Sequence, residues 1–206
     1  MKTIEIYKRF SHWTPIYILD RIRLFIDQVF NPNDPWWSRD AIDVVEQILH
    51  EDDIALEFGS GRSTIWIGQR VKKVTSVEHN KSWFEKVSTS IDKQGINNID
   101  LSLYSSENYL SVLGGFEHNS LDFVVVDGIK RGECALKSFP ILKKGGVMVI
   151  DDAHRFFPSQ SRAPYSRRNS YKDKIWQEVA ELIRGSRKIW VGDGVTETLI
   201  IIKDCT

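Results

Sequence analysis

The chain has little of several features that mark specialised classes of protein. It has only two cysteines, Cys134 and Cys205, in 206 residues, too few for a disulfide framework or a four-thiolate zinc site. It has no net charge, because 28 basic residues balance 28 acidic ones, whereas dedicated nucleic-acid binders usually carry an excess of lysine and arginine. It has no uncharged apolar stretch of about 18 residues, the length that would cross a bilayer. We therefore expect neither a nucleic-acid partner nor a membrane span.

What remains is typical of a globular protein. Hydrophobic residues make up 41% of the chain and charged residues 27%, close to the averages of compact domains. Residues 1–8 lack the continuous apolar run of a signal peptide, and we expect a soluble, cytoplasmic protein. The sequence leaves open whether it is a homo-oligomer.

Two regions differ in their hydrophobic pattern. Apolar side chains recur at helical spacing over residues 16–30, and Ser38 is placed to cap a second helix. We predict a helical extension over residues 1–50, which caps the cofactor or the substrate, and a main domain over residues 51–206.

The main domain alternates strands with helices. Strands are predicted at 54–58, 74–78, 99–104, 121–127, 147–150, 188–191 and 196–203. Such alternation predicts an α/β fold with a parallel sheet covered on both faces. Only Gly192–Val195 separates the last two strands, which is too short for a helical crossover, so this pair should be antiparallel.

The strongest motif is a glycine turn directly after the first strand, with the sequence EFGSG from Glu57 to Gly61. Such a turn brings backbone close to a ligand at the carboxyl end of the sheet. Thr64 stands where dinucleotide-binding folds have a third glycine, and Glu57 would repel a pyrophosphate. Glu78, which lies 19 residues after Gly59, is close to the roughly 20-residue spacing of an acid that binds a ribose diol. The turn therefore favours a cationic nucleoside over NAD.

These motifs, with Val77–His79, Val126–Gly128 and residues 145–152, resemble those of class I S-adenosylmethionine-dependent methyltransferases over about residues 52–203. The resemblance implies a Rossmann-like, seven-stranded, mostly parallel sheet with a C-terminal antiparallel strand pair and helices on both faces. It also implies that S-adenosylmethionine is bound by Glu57, Gly59, Ser60, Gly61, Ser63, Thr64, Glu78, His79, Ser106 and Asp127.

Three carboxylates should meet at the carboxyl edge of the sheet, because Asp127 ends one strand and Asp151 and Asp152 end its predicted neighbour. Like charges so close are unfavourable without a partner cation, and Mg²⁺ prefers such oxygen ligands. The pattern is similar to the metal-dependent small-molecule O-methyltransferases of the catechol and macrolide-sugar kinds, which implies a Mg²⁺ ion that chelates the substrate hydroxyl. The alternative is that Asp151 and Asp152 cap the following loop while Asp127 faces the cofactor.

Two residues compete as the catalytic base. Lys130 matches the lysine of the catechol-type enzymes, whereas His154 is closer to the macrolide-sugar arrangement. In either case the resemblance implies direct displacement, in which the base removes the hydroxyl proton and the oxygen attacks the sulfonium methyl group.

The acceptor is predicted to be a small molecule. Residues 155–174 contain six basic residues and one acid, Asp173, a charge that would suit an anionic acceptor such as a phosphorylated or nucleotide-linked sugar. Alternatives are methylation of RNA or another macromolecule, a non-catalytic S-adenosylmethionine-binding module and, last, an NAD-dependent oxidoreductase.

Overall fold

The computed structural model describes residues 13–204. The predictions for residues 1–12 and for Cys205 lie outside this range. The α-helices of the described residues, numbered α1 to α6, span Pro15–Phe30, Arg39–Ile48, Arg62–Gly68, Lys81–Gln94, Arg131–Ser138 and Lys174–Leu182. The strands, β1 to β7, span Ile54–Phe58, Lys73–Glu78, Ile99–Leu103, Leu121–Val126, Leu142–Ile150, Arg187–Gly192 and Glu197–Ile202.

All seven strands form one sheet in the order β3-β2-β1-β4-β5-β7-β6. β7 runs antiparallel to both of its neighbours, whereas β1 to β5 pair in parallel. The predicted Rossmann-like sheet with its C-terminal antiparallel pair is confirmed. The strand order reverses between β1 and β4, and ligands of open α/β sheets bind at such a switch point.

The two faces of the sheet bury separate hydrophobic cores. Alternate residues of a strand point to opposite faces, so Val124 and Val126 of β4 contribute to one core while Phe123 and Val125 contribute to the other. All four are essentially inaccessible to solvent, as the continuous apolar run predicts. α5 and α6 cover the first face.

The second face is covered in part by α2. This helix begins at Ser38, whose side chain accepts a hydrogen bond from the backbone N–H of Ala41, as predicted for an N-cap. Ala41, Ile42 and Val45 are buried in the same core as the sheet residues. α1, in contrast, buries none of its side chains, and Asp20 approaches Arg162 at 3.8 Å. The capping role of the extension remains a prediction.

The predicted start of β5 is wrong. The sequence predicts this strand at residues 147–150, whereas it begins at Leu142 and includes the glycines at 145 and 146. α5 ends at Ser138 and continues as a short 3₁₀ turn over Phe139–Ile141, because Pro140 has no N–H with which to extend an α-helix. Between residues 13 and 204, no helix has the length and apolar character needed to span a membrane.

Candidate functional site

The turns after β1 and β4 touch backbone to backbone. Gly59 has a φ of +96°, and a Cβ atom built on it would lie 2.5 Å from the backbone nitrogen of Gly128. A Cβ atom on Gly128 would lie 2.1 Å from the hydroxyl oxygen of Tyr109. Larger residues at either position would therefore collide with their neighbours. Because neither turn carries a side chain here, backbone atoms are open to a ligand.

A cavity of about 370 Å³ opens beside these turns, and we call it the glycine-turn pocket. Its lining residues are Gly59, Ser60, Glu78, His79, Asn80, Ser82, Trp83, Asp127, Gly128 and Ile129. Five of them, namely Gly59, Ser60, Glu78, His79 and Asp127, are among the residues that the sequence predicts to hold the cofactor. The structure thus brings the ends of β1, β2 and β4 together around one pocket.

Glu78 is held rigidly at the end of β2. One carboxylate oxygen accepts hydrogen bonds from the backbone N–H groups of His79 and Asn80, both at 2.8 Å. The other accepts from the backbone N–H and the hydroxyl of Ser60, both at 3.2 Å. The side chain is buried, yet it lines the pocket. A fixed carboxylate of this kind suits a ligand with a pair of hydroxyl groups.

Trp83 forms a wall of the same pocket that sequence reasoning missed. Its indole N–H donates to the backbone carbonyl of Ser60 at 2.7 Å, and its ring contacts that of Trp36, with 5.7 Å between centroids. The guanidinium carbon of Arg62 lies 5.5 Å from the centre of the Trp36 ring. Trp36 thus packs beside the wall of the pocket.

Glu57 lies beneath the glycine turn instead of lining the pocket. It is fully buried, and its carboxylate accepts hydrogen bonds from the hydroxyls of Ser63, Thr64 and Ser76. Burial raises the pKa of Glu57 to about 7, although the three hydroxyls oppose this rise. This carboxylate therefore ties β1 to the start of α3 and supports the turn from below.

The remaining residues predicted to bind the cofactor also lie outside the lining. Ser63 and Thr64 turn their hydroxyls towards Glu57, and the backbone N–H of Gly61 donates to the hydroxyl oxygen of Thr64 at 2.8 Å. Ser106 lies in the exposed turn that follows β3. Side-chain contacts of these residues with the cofactor remain predictions.

Asp127 and Asp151 meet at the ends of β4 and β5, as predicted, but Arg131 lies with them. Burial raises the pKa of both carboxyl groups, and the charge of Arg131 opposes that rise in each. The charges of Asp127 and Asp152 raise the pKa of Asp151 further. Nothing in the sequence near Arg131, the first residue of α5, indicates that its side chain lies against Asp127 and Asp151.

The third acid of the predicted metal site points elsewhere. Asp152 has a carboxylate oxygen 3.1 Å from the guanidinium of Arg155, and its other oxygen accepts from the hydroxyl of Thr196 at 3.4 Å. Within residues 13–204, no group of three or more histidine, cysteine, aspartate or glutamate side chains is arranged to hold a metal ion. The residues present do not fit the expected Mg²⁺, because guanidinium groups already lie against all three acids.

A second cavity, of about 400 Å³, adjoins the first and shares Gly128 and Ile129 with it. We call it the lysine pocket, because Lys130 and Lys172 both line it. Its other lining residues are Arg131, Gly132, Glu133, Phe156, Asp173, Ile175 and Trp176. Phe156 stacks on Trp176 with 4.4 Å between ring centroids, so the pocket combines an aromatic wall with cationic groups.

Lys130 has an unusual backbone conformation. Its φ and ψ of 49° and 35° lie in the left-handed region, which few residues other than glycine adopt and which costs about 1 kcal/mol or more. Strain of this kind persists where the surrounding structure requires it, often at functional sites. Here it positions Lys130 between β4 and α5, with its side chain exposed in the lysine pocket.

His154, the rival base, is completely buried. Its Nε2 atom lies 3.0 Å from the carbonyl oxygen of Pro164, and its backbone carbonyl accepts from the N–H of Arg167. Burial lowers the pKa of this imidazole. The ring therefore holds the loop after β5 against the domain and lines neither pocket.

Much of the positive charge predicted beside the site is paired. Arg155 approaches Asp152, Arg162 approaches Asp20 and Lys174 approaches Glu178. Lys172 instead lies over the ring of Phe156, with its ammonium nitrogen 5.4 Å from the centroid. The charge that faces the lysine pocket is thus smaller than the sequence suggests.

Among models of known protein families, one described as a methyltransferase domain matches residues 56–153 of this chain. No match was found among curated protein sequences.

Solved structures share the fold at low sequence identity. The O-methyltransferase of Bacillus cereus, solved with S-adenosylhomocysteine, is 16% identical with a TM-score of 0.56, over 78% of this chain and 77% of that one. TomG of Streptomyces achromogenes, an O-methyltransferase of tomaymycin synthesis solved with S-adenosylmethionine, is 18% identical with a TM-score of 0.55, over 78% and 76%. An rRNA methylase of Streptococcus thermophilus is 16% identical with a TM-score of 0.55, over 79% and 93%. At these identities the structural likeness establishes the fold alone.

Proposed function

We propose that the chain, whose residues 56–153 match a methyltransferase-domain model, is a class I S-adenosylmethionine-dependent methyltransferase that methylates a hydroxyl oxygen of a small molecule by direct displacement. The glycine-turn pocket holds S-adenosylmethionine, which when bound supplies an electrophilic methyl group. The lysine pocket holds the acceptor. The observation that carries the proposal is that Gly128 and Ile129 line both pockets.

The glycine-turn pocket fits the cofactor in two respects. Glu78 offers a fixed carboxylate to the two ribose hydroxyls. The close approach of Gly59 to Gly128 leaves backbone groups bare at the switch point of the sheet, where the remainder of the nucleoside can lie against them. Trp83 and Ile129 supply apolar surface on either side.

The lysine pocket is preferred as the acceptor site because it adjoins the glycine-turn pocket. A further cavity of about 420 Å³, lined by Phe157, Tyr171, Trp190 and others, shares no residue with the glycine-turn pocket. A methyl group can be transferred only between groups in contact. The lysine pocket, which adjoins the glycine-turn pocket, is therefore the better site for the acceptor.

Lys130 is the base that the geometry favours. Its exposed side chain lines the lysine pocket, whereas the ring of His154 is buried against Pro164. The amine of Lys130 would remove the hydroxyl proton as the oxygen attacks. Lys172, on the opposite part of the lining, would bind an anionic or polar portion of the acceptor.

The size of the site favours a small molecule over RNA. A pocket of about 400 Å³ lies in the range of small-molecule sites. The chain has no net charge, whereas nucleic-acid binders usually carry an excess of basic residues. O-methyltransferases and an rRNA methylase share this fold to a similar degree, so the fold does not decide between these acceptors.

An acceptor screen tests the proposal. Transfer of an isotope-labelled methyl group from S-adenosylmethionine would be measured for phenols, sugars, nucleotide sugars and ribosomal RNA, and the product linkage determined by mass spectrometry. We expect labelled methyl ethers of small molecules. Transfer to RNA alone, or to a nitrogen or carbon atom, would overturn the proposal.

A further inference from the structure

We propose that Arg131 is the fixed cation of this site and occupies the place of a divalent metal ion. The acceptor is then a molecule with a single hydroxyl group that is acidic without metal coordination, such as a phenol. The second statement rests on the proposed function, whereas the first depends only on the structure.

The guanidinium of Arg131 is bound from three directions. Its Nη2 atom donates to a carboxylate oxygen and to the backbone carbonyl of Asp127, both at 2.6 Å. Its Nη1 atom donates to the backbone carbonyl of Asp151 at 2.8 Å and lies 3.8 Å from its carboxylate. Its Nε atom donates to the backbone carbonyl of Gly128 at 3.0 Å.

These hydrogen bonds suit a planar cation such as a guanidinium group. A guanidinium has five N–H groups in a fixed fork, and four are used here, three of them by backbone carbonyls at the ends of β4 and β5. Arg131 is only partly exposed, at 18% of its side chain. A metal ion that bound Asp127 and Asp151 together would first have to displace this bonded side chain.

The position of the guanidinium is fixed by the backbone. Lys130 in its left-handed conformation is the N-cap of α5, and Arg131 is the next residue. The side chain therefore starts from the first turn of a helix whose residues Gly132, Cys134 and Ala135 are buried. The centre of the aromatic ring of Phe156 lies 5.8 Å from the guanidinium carbon.

A fixed arginine changes what the acceptor must be. A bound divalent ion lowers the pKa of a hydroxyl that coordinates it, and a chelated acceptor offers it two adjacent oxygens. Arg131 has one N–H left after its four hydrogen bonds and carries a single charge, so it assists deprotonation less. A phenol, with an ordinary pKa of roughly 10, loses its proton far more readily than the hydroxyl of a sugar. The aromatic wall of Phe156 and Trp176 suits the ring of such an acceptor.

Binding of Mn²⁺ to the metal-stripped full-length protein tests the role of Arg131. Free Mn²⁺ would be followed by electron paramagnetic resonance with the wild type, Arg131→Ala, Arg131→Lys and, as a matched control, Arg155→Ala, which removes the partner of Asp152 only. We expect no site in the wild type with a Kd below about 1 mM. Arg131→Ala should bind at least about 10-fold more tightly, because Asp127 and Asp151 lose their cation. Arg131→Lys and Arg155→Ala should behave as the wild type.

Two results would overturn this inference. One is a wild-type Mn²⁺ site in the micromolar range, and the other is equal Mn²⁺ affinity in the wild type and Arg131→Ala. The Arg131→Lys and wild-type measurements stand even where Arg131→Ala does not fold, as judged by circular dichroism.

A second experiment tests the acceptor class. Methyl transfer to a monophenol should be unchanged by EDTA and exceed transfer to a sugar at least about 10-fold. Transfer to sugars alone would overturn the acceptor class and leave the proposed function intact, whereas the absence of transfer to every small molecule would refute the proposed function and leave the Mn²⁺ result standing.

Discussion

Glu57 and Ser76 are register partners on neighbouring strands, and the hydroxyl of Ser76 donates a hydrogen bond to the buried carboxylate of Glu57 at 2.6 Å. Ser63 and Thr64 donate from the start of α3. One carboxyl group thus joins β1, β2 and α3 directly under the glycine turn. The acid that the sequence predicts to bind S-adenosylmethionine thus supports the backbone of the turn from below.

This buried acid makes the stability of the protein dependent on pH. The pKa of Glu57 is raised from 4.5 to about 7, so the folded state holds a proton that the unfolded state has released. The stabilisation is complete below pH 4.5 and is lost as the pH rises to about 7. From about pH 5 to about pH 8, we expect this group to cost roughly 2 to 3 kcal/mol in the free energy of unfolding.

Urea denaturation of Glu57→Gln across this range checks the prediction. The variant should lose less stability than the wild type between these pH values. Glu117→Gln, which changes an exposed glutamate, serves as the control and should keep the wild-type slope. An unchanged slope in Glu57→Gln would show that Glu57 is not the group responsible.

Gly59→Ala should damage the glycine-turn pocket. The added Cβ atom would lie 2.5 Å from the backbone of Gly128, at a φ of +96°, so the two turns must separate. We expect destabilisation of about 1 to 3 kcal/mol and at least about 10-fold weaker binding of S-adenosylhomocysteine by calorimetry. Gly114→Ala, where the Cβ atom meets nothing, should change neither quantity.

Glu78→Gln should weaken cofactor binding without disrupting the fold. The amide retains one acceptor oxygen but places an NH₂ group against backbone N–H donors or the ribose hydroxyls. Loss of hydrogen bonds to a charged group costs about 1.5 to 3 kcal/mol, so S-adenosylhomocysteine should bind roughly 10- to 100-fold more weakly. Glu85→Gln, on the exposed side of α4, should bind as the wild type does. Equal affinity in the two variants would contradict the role of Glu78.

Lys130→Ala and His154→Ala should separate catalysis from stability. Lys130→Ala removes the proposed base and should lower kcat about 100-fold or more. Its affinity for S-adenosylhomocysteine should stay within about 2-fold of the wild type, because the proposed cofactor site is the other pocket.

Lys172→Ala should raise KM more than it lowers kcat. Steady-state kinetics on the acceptor found in the screen would measure both effects.

His154→Ala, in contrast, removes a buried ring and its contact with Pro164, so its melting temperature should fall with little change in kcat. A large loss of kcat in His154→Ala with normal activity in Lys130→Ala would reverse the assignment of the base.

The arrangement of the fold was predictable from local patterns. The seven strands were predicted from apolar or alternating segments, and Gly192–Val195 is too short for a helical crossover, so the antiparallel return was predictable too. Asp127 and Asp151 were predicted to meet because parallel neighbours deliver their carboxyl ends to one edge. These inferences depend only on hydrophobic period, loop length and the geometry of a parallel sheet.

The partners of the site residues were not predictable in the same way. Arg131 reaches both acids from the position directly after Lys130, whose backbone is left-handed, and no motif indicates this arrangement. The burial of His154 depends on how the loop carrying Pro164 and Arg167 packs. The contact of Arg131 with Asp151 joins two turns that follow different strands, and the contact of His154 with Pro164 lies within an irregular loop. Neither follows from a regular pattern in the sequence.

We propose that the pocket between the ends of β1, β2 and β4 holds S-adenosylmethionine. The most direct test is calorimetric titration of the wild type with S-adenosylhomocysteine and, separately, with NAD, in the presence of EDTA. We expect one S-adenosylhomocysteine bound per chain with micromolar affinity, the loss of that binding in Gly59→Ala, and no binding of NAD. Binding of NAD without S-adenosylhomocysteine, or S-adenosylhomocysteine binding that Gly59→Ala leaves unchanged, would contradict this proposal.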